Sequence, residues 1–199
     1  MGLVHIVFDS ETLGVRENAV VLSIACVPFE LEVYQNYSDL YSQGYSVKFD
    51  SEEQMKVYKR TTERDTIQWW LKQPAEVRRA VTFTSAFDVP MKKGLQYLTD
   101  FVRSTSYDYK ASYVWARGSY FDFPKIESMY LQAGLPLPYN SWKIRDIRTY
   151  VDILTGSNDG KYILQKGKSN SYRKHNALCD AAYDAAVMVE IYHRIKDLE

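Results

Sequence analysis

Short apolar runs separated by polar turns fill the opening third of the chain, a pattern typical of β-strands. Residues 5–9 form an apolar run that ends in an acid, as expected of a buried central strand. Residues 20–29 form a second apolar run, and residues 45–49 alternate between apolar and polar positions. The pattern therefore predicts a β-meander of three strands.

Helical periodicity dominates the rest of the chain and is interrupted by one further strand, predicted at 112–116. Residues 155–174 are rich in Gly, Ser, Asn and Lys, which predicts a loop. Helices are predicted at 66–71, 75–80, 89–102, 123–132, 147–154 and 176–197. Strands first, followed by alternating helices and strands, indicate a mixed sheet with helices on both faces.

Length and composition narrow the class of protein. The chain suits a single domain over 1–199, and its 46% apolar and 25% charged residues are typical of a globular protein. No apolar run approaches the roughly 20 residues that cross a bilayer, and the first residues lack the features of a secretory signal. Cys26 and Cys179 lie in apolar stretches, which predicts reduced core residues in a cytoplasmic protein.

Charge is unevenly distributed although the formal net charge is zero. Residues 1–55 contain nine acids and two bases, a net charge of −7, so the remainder carries +7. Residues 143–174 alone contain eight bases against three acids. Such a strip can steer a phosphate chain, but charge alone favours a solvated loop equally.

Three acid-bearing segments carry the candidate chemistry. Asp9 and Glu11 project from the same face of the first strand, and such carboxylates repel each other unless a cation lies between them. Asp122 lies between the mid-chain strand and the next helix, and His175 precedes Asp180 by five residues at the start of the last helix. Carboxylate oxygens favour hard ions such as Mg²⁺ or Mn²⁺.

Each of these segments alone has a plainer explanation. A pair of acids at a strand end is more often a turn feature, and Asp122 suits an N-cap with Pro124 early in the helix. Asp180 suits a first helical turn because of the helix dipole. The three segments together form an ordered set, however, which favours a shared site.

Five segments carry a resemblance that spans nearly the whole chain: FDSETLG (8–14), TIQWWLKQ (66–73), WARGSYFDFP (115–124), RDIRT (145–149) and HNALCD (175–180). Their order and spacing resemble the DEDDh exonucleases, the histidine-bearing branch of the DnaQ-like superfamily. Within that branch the chain is most similar to the group of T-even phage exonuclease A and the mycobacterial exoribonucleases. The resemblance implies an α/β fold with a ribonuclease H-like mixed β-sheet flanked by α-helices.

The resemblance also implies a metal-dependent 3′-5′ exonuclease that releases nucleoside monophosphates. Asp9, Glu11, Asp122 and Asp180 would bind two divalent cations, Mg²⁺ or Mn²⁺, and stabilise both the attacking and the leaving oxygen of the phosphodiester. His175 would be the general base that takes a proton from the attacking water.

Substrate contacts are expected from residues beside this site. By the same resemblance, Thr12 would hydrogen-bond the terminal sugar and Leu13 would lie beside the last base. One of the adjacent Trp69 and Trp70 is expected in the core and the other against a base, because neighbours on a helix point about 100° apart. The candidates for phosphate contact are Arg117, Lys125, Arg145 and Arg148, although Arg145 or Arg148 could instead pair with Asp146.

Single-stranded DNA is the expected substrate, because the resemblance is greatest to a phage deoxyribonuclease. Three alternatives stay open: an exoribonuclease that trims RNA or short oligoribonucleotides, a catalytically silent nucleic-acid-binding module, and a proofreading subunit of a polymerase. The intact set of acids argues against the silent module, since a binding protein has no need of four carboxylates near a phosphate chain. The expected location is the cytoplasm, that of the host cell if the chain is phage-encoded, and no protein partner is indicated.

Overall fold

A five-stranded mixed sheet forms the centre of the computed structural model, which describes residues 2–165 and 172–197. The strands are β1 (Val4–Thr12), β2 (Val21–Glu30), β3 (Tyr45–Lys48), β4 (Val114–Ala116) and β5 (Ile144–Asp146). In space their order is β3-β2-β1-β4-β5. The first three pair antiparallel, which confirms the predicted meander, whereas β4 and β5 run parallel to β1.

Helices cover both faces of this sheet, as predicted. Within the described residues they are α1 (Tyr37–Gln43), α2 (Ser51–Lys56), α3 (Arg64–Leu71), α4 (Ala75–Val81), α5 (Met91–Ser104), α6 (Ser119–Ala133), α7 (Ile147–Thr155) and α8 (Ala177–Lys196). A 3₁₀ turn at Ser141–Lys143 precedes β5. None of these helices is both long and apolar enough to span a membrane.

The alternation of side chains along β1 divides the core into two layers. Ile6 and Phe8 are fully buried on the face covered by α5 and α6. Val7 points to the opposite face, where it is buried with the small residues of α8, such as Ala182 and Ala185. These alanines let the helix approach the sheet closely, which places the start of α8 beside the end of β1.

The turn between β4 and α6 differs from the expected one. Helix α6 begins at Ser119, after Gly118 with a φ of +86°, so the interpretation of Asp122 as an N-cap is wrong. Glycine allows this left-handed conformation, which turns the chain directly from the strand into the helix. The side chain of Asp146 accepts hydrogen bonds from the N–H groups of Gly118 and Ser119 at 3.0 and 2.7 Å and holds the turn.

The predicted loop at 155–174 continues from the end of α7 without regular secondary structure through residue 165. Lys166 and Lys168, two of the bases counted in the basic strip, lie outside the described residues. Cys26 and Cys179 are both buried and free, as expected of core cysteines.

Candidate active site

The end of β1 brings three of the predicted acids together. Asp9 and Glu11 lie two residues apart on this strand, and Ser10 between them points to the other side. The backbone N–H and the hydroxyl of Ser10 both donate to Oδ1 of Asp122, at 3.0 and 2.6 Å. Asp122 in the first turn of α6 is therefore fixed against the strand that carries the acid pair.

The start of α8 supplies the fourth acid. Asp180 lies in its first turn, behind the N-cap Asn176, whose side chain accepts from the N–H of Cys179 at 3.1 Å. One oxygen of Asp180 accepts from the Tyr172 hydroxyl at 2.6 Å and the other from the His175 N–H at 2.8 Å. Both oxygens of this carboxylate thus have a fixed direction.

Burial and mutual repulsion shift the ionisation of these carboxyl groups. Burial, followed by the charges of Asp122, Glu11 and Asp180, raises the pKa of Asp9 well above its usual value. The pKa of Glu11 rises for the same reasons, with burial the largest cause. Burial raises the pKa of Asp122 to about 7, although the hydrogen bonds from Ser10 oppose this. Burial and mutual repulsion therefore disfavour the ionised form of all these carboxyl groups at once.

His175 lies at the edge of this cluster. One ligand atom from each of Glu11, His175 and Asp180 lies within 4.8 Å of the other two. Burial lowers the pKa of His175, although the negative charge of Asp180 acts in the opposite direction. The lowered pKa favours the neutral imidazole, whose nitrogen can accept a proton from a water between these groups or ligate a cation itself.

Another buried acid, Asp184, was not among the predicted site residues. It lies one helical turn after Asp180 on the same face of α8, a spacing that the sequence does show. Its Oδ1 accepts from Nε of Arg117 at 2.7 Å, and burial, opposed by Arg117, raises its pKa to about 6. Arg117 also donates to the carbonyl of Gly160. Because its guanidinium is engaged in this way, Arg117 positions Asp184, and we do not retain it as a phosphate contact.

Thr12 and Leu13 follow the acid pair at the mouth of the site. The Thr12 hydroxyl donates to the carbonyl of Gly14 at 2.7 Å, and the Thr12 carbonyl accepts from Nε1 of Trp70 at 2.8 Å. Leu13 is partly buried against Trp70 and Val81. Both residues directly follow Glu11 in the chain, but Thr12 is only 5% exposed, so its contact with the terminal sugar stays a prediction, as does that of Leu13 with the last base.

The two tryptophans of α3 separate as expected of adjacent helical residues. Trp70 is 3% exposed and belongs to the core, whereas Trp69 is 41% exposed. The ring of Trp69 meets that of His175 edge-on, with centroids 4.9 Å apart. Of the predicted pair, Trp69 is therefore the residue that is accessible at the site.

The remaining bases lie in three different environments. Lys125 is 1% exposed and donates to the carbonyl of Phe121 at 2.7 Å, so it is not available for the predicted phosphate contact. Arg145 lies over the ring of Tyr113, 4.4 Å from its centroid. Arg148 is exposed, and its Nη1 is 3.5 Å from the hydroxyl of Tyr120 at the start of α6. Arg148 is therefore the candidate phosphate contact that the structure leaves at the site.

Comparisons with known proteins agree with this arrangement. The family model described as a 3′-5′ exoribonuclease Rv2179c-like domain matches residues 4–192. An exodeoxyribonuclease of Enterobacteria phage T4 is 30% identical over an aligned region that covers 92% of this chain and 86% of that protein.

Solved structures share the fold at low sequence identity. A zinc-bound complex of E. coli ExoI with single-stranded DNA matches with a TM-score of 0.62 at 12% identity, over 99% of this chain and 42% of that one. The nuclease domain of 3′hExo, a DEDDh family member bound to rAMP, matches with a TM-score of 0.62 at 12% identity, over 96% of this chain and 92% of that one. The chain thus spans less than half the length of ExoI, and the likeness establishes the ribonuclease H-like fold.

Proposed function

Because the chain belongs to the family of 3′-5′ exoribonuclease Rv2179c-like domains and is a DEDDh-type 3′-5′ exonuclease, we propose that it degrades single-stranded nucleic acid stepwise from the 3′ end. The observation that carries the proposal is the cluster of Asp9, Glu11, Asp122 and Asp180 with His175 at its edge. Glu11 and Asp122 are buried in this cluster, and Asp9 and Asp180 are partly buried. Such a cluster is costly for a fold and is explained by cations that the carboxylates hold for phosphoryl chemistry.

The donor set of the cluster fits a pair of hard divalent cations. Its carboxylates have raised pKa values because they are buried beside one another, and positive charge between them would favour their ionised form. Oxygen ligands favour Mg²⁺ or Mn²⁺. When bound, two such ions stabilise both the attacking and the leaving oxygen of a phosphodiester.

The protein side chains orient the reaction. Ser10 fixes the direction of Asp122, and the Tyr172 hydroxyl fixes that of Asp180. His175 accepts the proton of the attacking water as the new P–O bond forms. The bond to the 3′ oxygen of the shortened chain then breaks, that oxygen takes up a proton, and a nucleoside 5′-monophosphate is released.

Substrate contacts surround these groups. We assign Thr12 and Leu13 to the terminal nucleotide, since they adjoin the acid pair at the end of β1. Arg148, exposed near the first turn of α6, is assigned to a phosphate of the strand. The exposed face of Trp69 is available for contact with a base.

Single-stranded DNA is the substrate that we propose, because the relative that is 30% identical over 92% of this chain is an exodeoxyribonuclease. RNA is the second candidate, because the matching family model is described as an exoribonuclease domain. The two polymers share the scissile phosphate and differ at the 2′-hydroxyl, so discrimination depends on the shape of the site around Thr12 and Leu13.

Digestion of matched 5′-labelled DNA and RNA oligomers tests the proposal. With Mg²⁺ or Mn²⁺ the DNA should shorten one nucleotide at a time, and a 3′-terminal phosphorothioate should slow the first step. A chelator and the Asp122→Asn variant should both leave the oligomer intact. Faster digestion of RNA would transfer the proposal to the second candidate, and shortening from the 5′ end would contradict it.

A further inference from the structure

Helix α3 contacts both the end of β1 and His175 through two adjacent tryptophans, Trp70 and Trp69. We infer that Trp69 and Trp70 are positioning residues, which set His175 relative to the end of β1 that carries Glu11. This inference rests on the proposed function and deepens it, because it gives α3 a part in catalysis that does not require contact with the substrate.

Trp70 holds the end of β1 in place. Its ring is buried against Leu22 and Val81, and its Nε1 donates to the carbonyl of Thr12 at 2.8 Å. Thr12 directly follows Glu11, and the register of β1 with β2 shifts between these two residues. The indole therefore supplies a hydrogen bond where the regular ladder is interrupted, and it fixes the strand end next to the acid.

The start of α3 is tied to the same segment. The N–H of Glu63, the N-cap, donates to the carbonyl of Leu13 at 2.7 Å. Its Oε1 accepts from the N–H groups of Val15 and Arg16, each at 3.1 Å. Helix α3 is thus attached to the chain that follows the acid pair at several points along 12–16.

Trp69 contacts His175. Its ring lies edge-on to the imidazole of His175, at 4.9 Å between centroids and 85° between planes, and edge-on to Trp70 at 5.0 Å. His175 has a φ of +63°, a left-handed conformation that is uncommon for a residue other than glycine. Its backbone is held by the hydrogen bond to Asp180, and its ring is met edge-on by Trp69 and, at 6.3 Å between centroids, by Trp70. Trp69 makes the closer of these two contacts with the ring.

The positioning role and a stacking role for Trp69 predict different kinetics. A residue that orients the general base affects the chemical step, whereas a residue that stacks on a base of the strand affects binding in the ground state. Trp69→Ala should therefore lower kcat by about 10- to 100-fold, and the loss of any contact with a base would appear separately as a raised KM. Trp69→Phe, which keeps an aromatic edge against the imidazole, should restore most of the rate.

A double-mutant cycle makes this test specific. In the His175→Ala background, Trp69→Ala should cause no further loss of kcat, because the group that it orients is already absent. Trp142→Ala is the matched control: Trp142 is an exposed tryptophan in the 3₁₀ turn before β5, and its replacement should leave kcat unchanged. Equal losses in both backgrounds, or a raised KM at unchanged kcat, would overturn the inference.

A measurement that needs no activity separates this inference from the proposed function. The chain has three histidines, so the ring-proton NMR signals of His175 can be identified by their loss in His175→Ala. Trp69→Ala should shift these signals, because the indole ring current acts over the observed distance, while the signals of His5 and His193 stay in place. Unchanged His175 signals would refute the contact. If the signals shift but no nucleic acid is cleaved, the proposed function fails and the catalytic role of α3 fails with it.

Discussion

Individual side chains of the site are held mainly by backbone groups and hydroxyls. Asp122 is fixed by the backbone and side chain of Ser10, and Asp180 by the backbone of His175 and the hydroxyl of Tyr172. These contacts set the directions of the carboxylates without cancelling their charge. The acids are therefore oriented while their negative charge stays available for cations.

His175 is the residue whose removal should affect the chemical step alone. His175→Ala should lower kcat by about 10²- to 10⁴-fold with little change in oligonucleotide affinity, because the proton acceptor is lost and the carboxylates remain. Steady-state digestion and equilibrium binding measure the two quantities. His193→Ala, near the far end of α8, is the control and should retain the parental rate. Parental turnover in His175→Ala would show that this residue is not the general base.

Asp180→Asn should abolish cleavage while the fold remains stable. The amide oxygen can accept from the His175 N–H, and the amide nitrogen can donate to the Tyr172 hydroxyl, so both contacts persist. Burial raises the pKa of Asp180, so its ionisation opposes folding at neutral pH. In a chelator the free energy of unfolding of the variant should equal or exceed that of the parent. Asp159→Asn at the surface is the control, and a large loss of stability with retained cleavage would show that Asp180 is structural.

Secondary-structure elements were predictable where the hydrophobic pattern defines them. The apolar runs of β1 and β2 and the periodicity of α5 gave correct elements. Helix α1 was missed because it buries only Tyr37 and Leu40, and it is fixed by a capping box between Asn36 and Asp39. Strand β5 contains a single apolar residue and is defined by its pairing with β4, which no local pattern shows.

In the candidate site, too, local sequence does not show contacts between distant parts of the chain. The acids were identifiable because their order and spacing along the chain resemble those of the DEDDh exonucleases, whereas each acid alone had a plainer explanation. The environments of Arg117 and Lys125 were not predictable, because local sequence does not show that one pairs with Asp184 and that the other is buried against Phe121. Tertiary packing alone determines which bases remain at the surface.

Contact between α5 and β3 gives a prediction for the packing of these elements. A Cβ atom at Gly94 would lie 2.5 Å from Cε1 of Phe49 and 2.8 Å from Cγ1 of Val47. Alanine would gain about 1 kcal/mol of helix propensity, but overpacking costs about 1–3 kcal/mol. Gly94→Ala should therefore lower the free energy of unfolding in urea by up to about 2 kcal/mol. Lys92→Ala on the exposed face of α5 should not lower it, and a stabilised Gly94→Ala would contradict the packing.

Over the whole molecule, the fold brings acids from three distant parts of the chain to one edge of the sheet. Strands β1 and β4 are parallel, so their carboxyl ends meet, and α8 packs across β1 and β2 with its first turn at the same edge. The predicted basic strip does not form a single surface among the described residues. Lys143 and Arg145 lie over Tyr113, before the end of β5, and Lys161 pairs with Asp159. The members that border the acids are Arg148, whose charge acts on Asp184, and Lys174, whose charge acts on Asp180.

The acid cluster should make the stability of the whole molecule depend on pH in a direction set by the pKa shifts. The pKa of Asp122 is about 7 and that of Asp184 about 6 in the folded protein, against about 3.9 in an unfolded chain. At pH values between about 4 and 7 these groups bind more protons in the folded state than in the unfolded state. Their ionisation therefore destabilises the folded state progressively as pH rises through this range. Below that window the destabilisation is absent, and above it the destabilisation is complete.

Unfolding in urea, measured from pH 4 to 8 in a chelator, tests this dependence. Other acids titrate in the same range, so the quantity to follow is the difference in unfolding free energy between the parent and Asp122→Asn. The advantage of the variant should grow as pH rises through the window, because the amide never acquires the charge that burial disfavours. Adding Mg²⁺ or Mn²⁺ should stabilise the parent more than the variant, since a cation that binds only the folded state adds to its stability and the variant lacks one ligand. A difference that is constant with pH and unaffected by either metal would show that Asp122 is not part of a charged, cation-binding cluster.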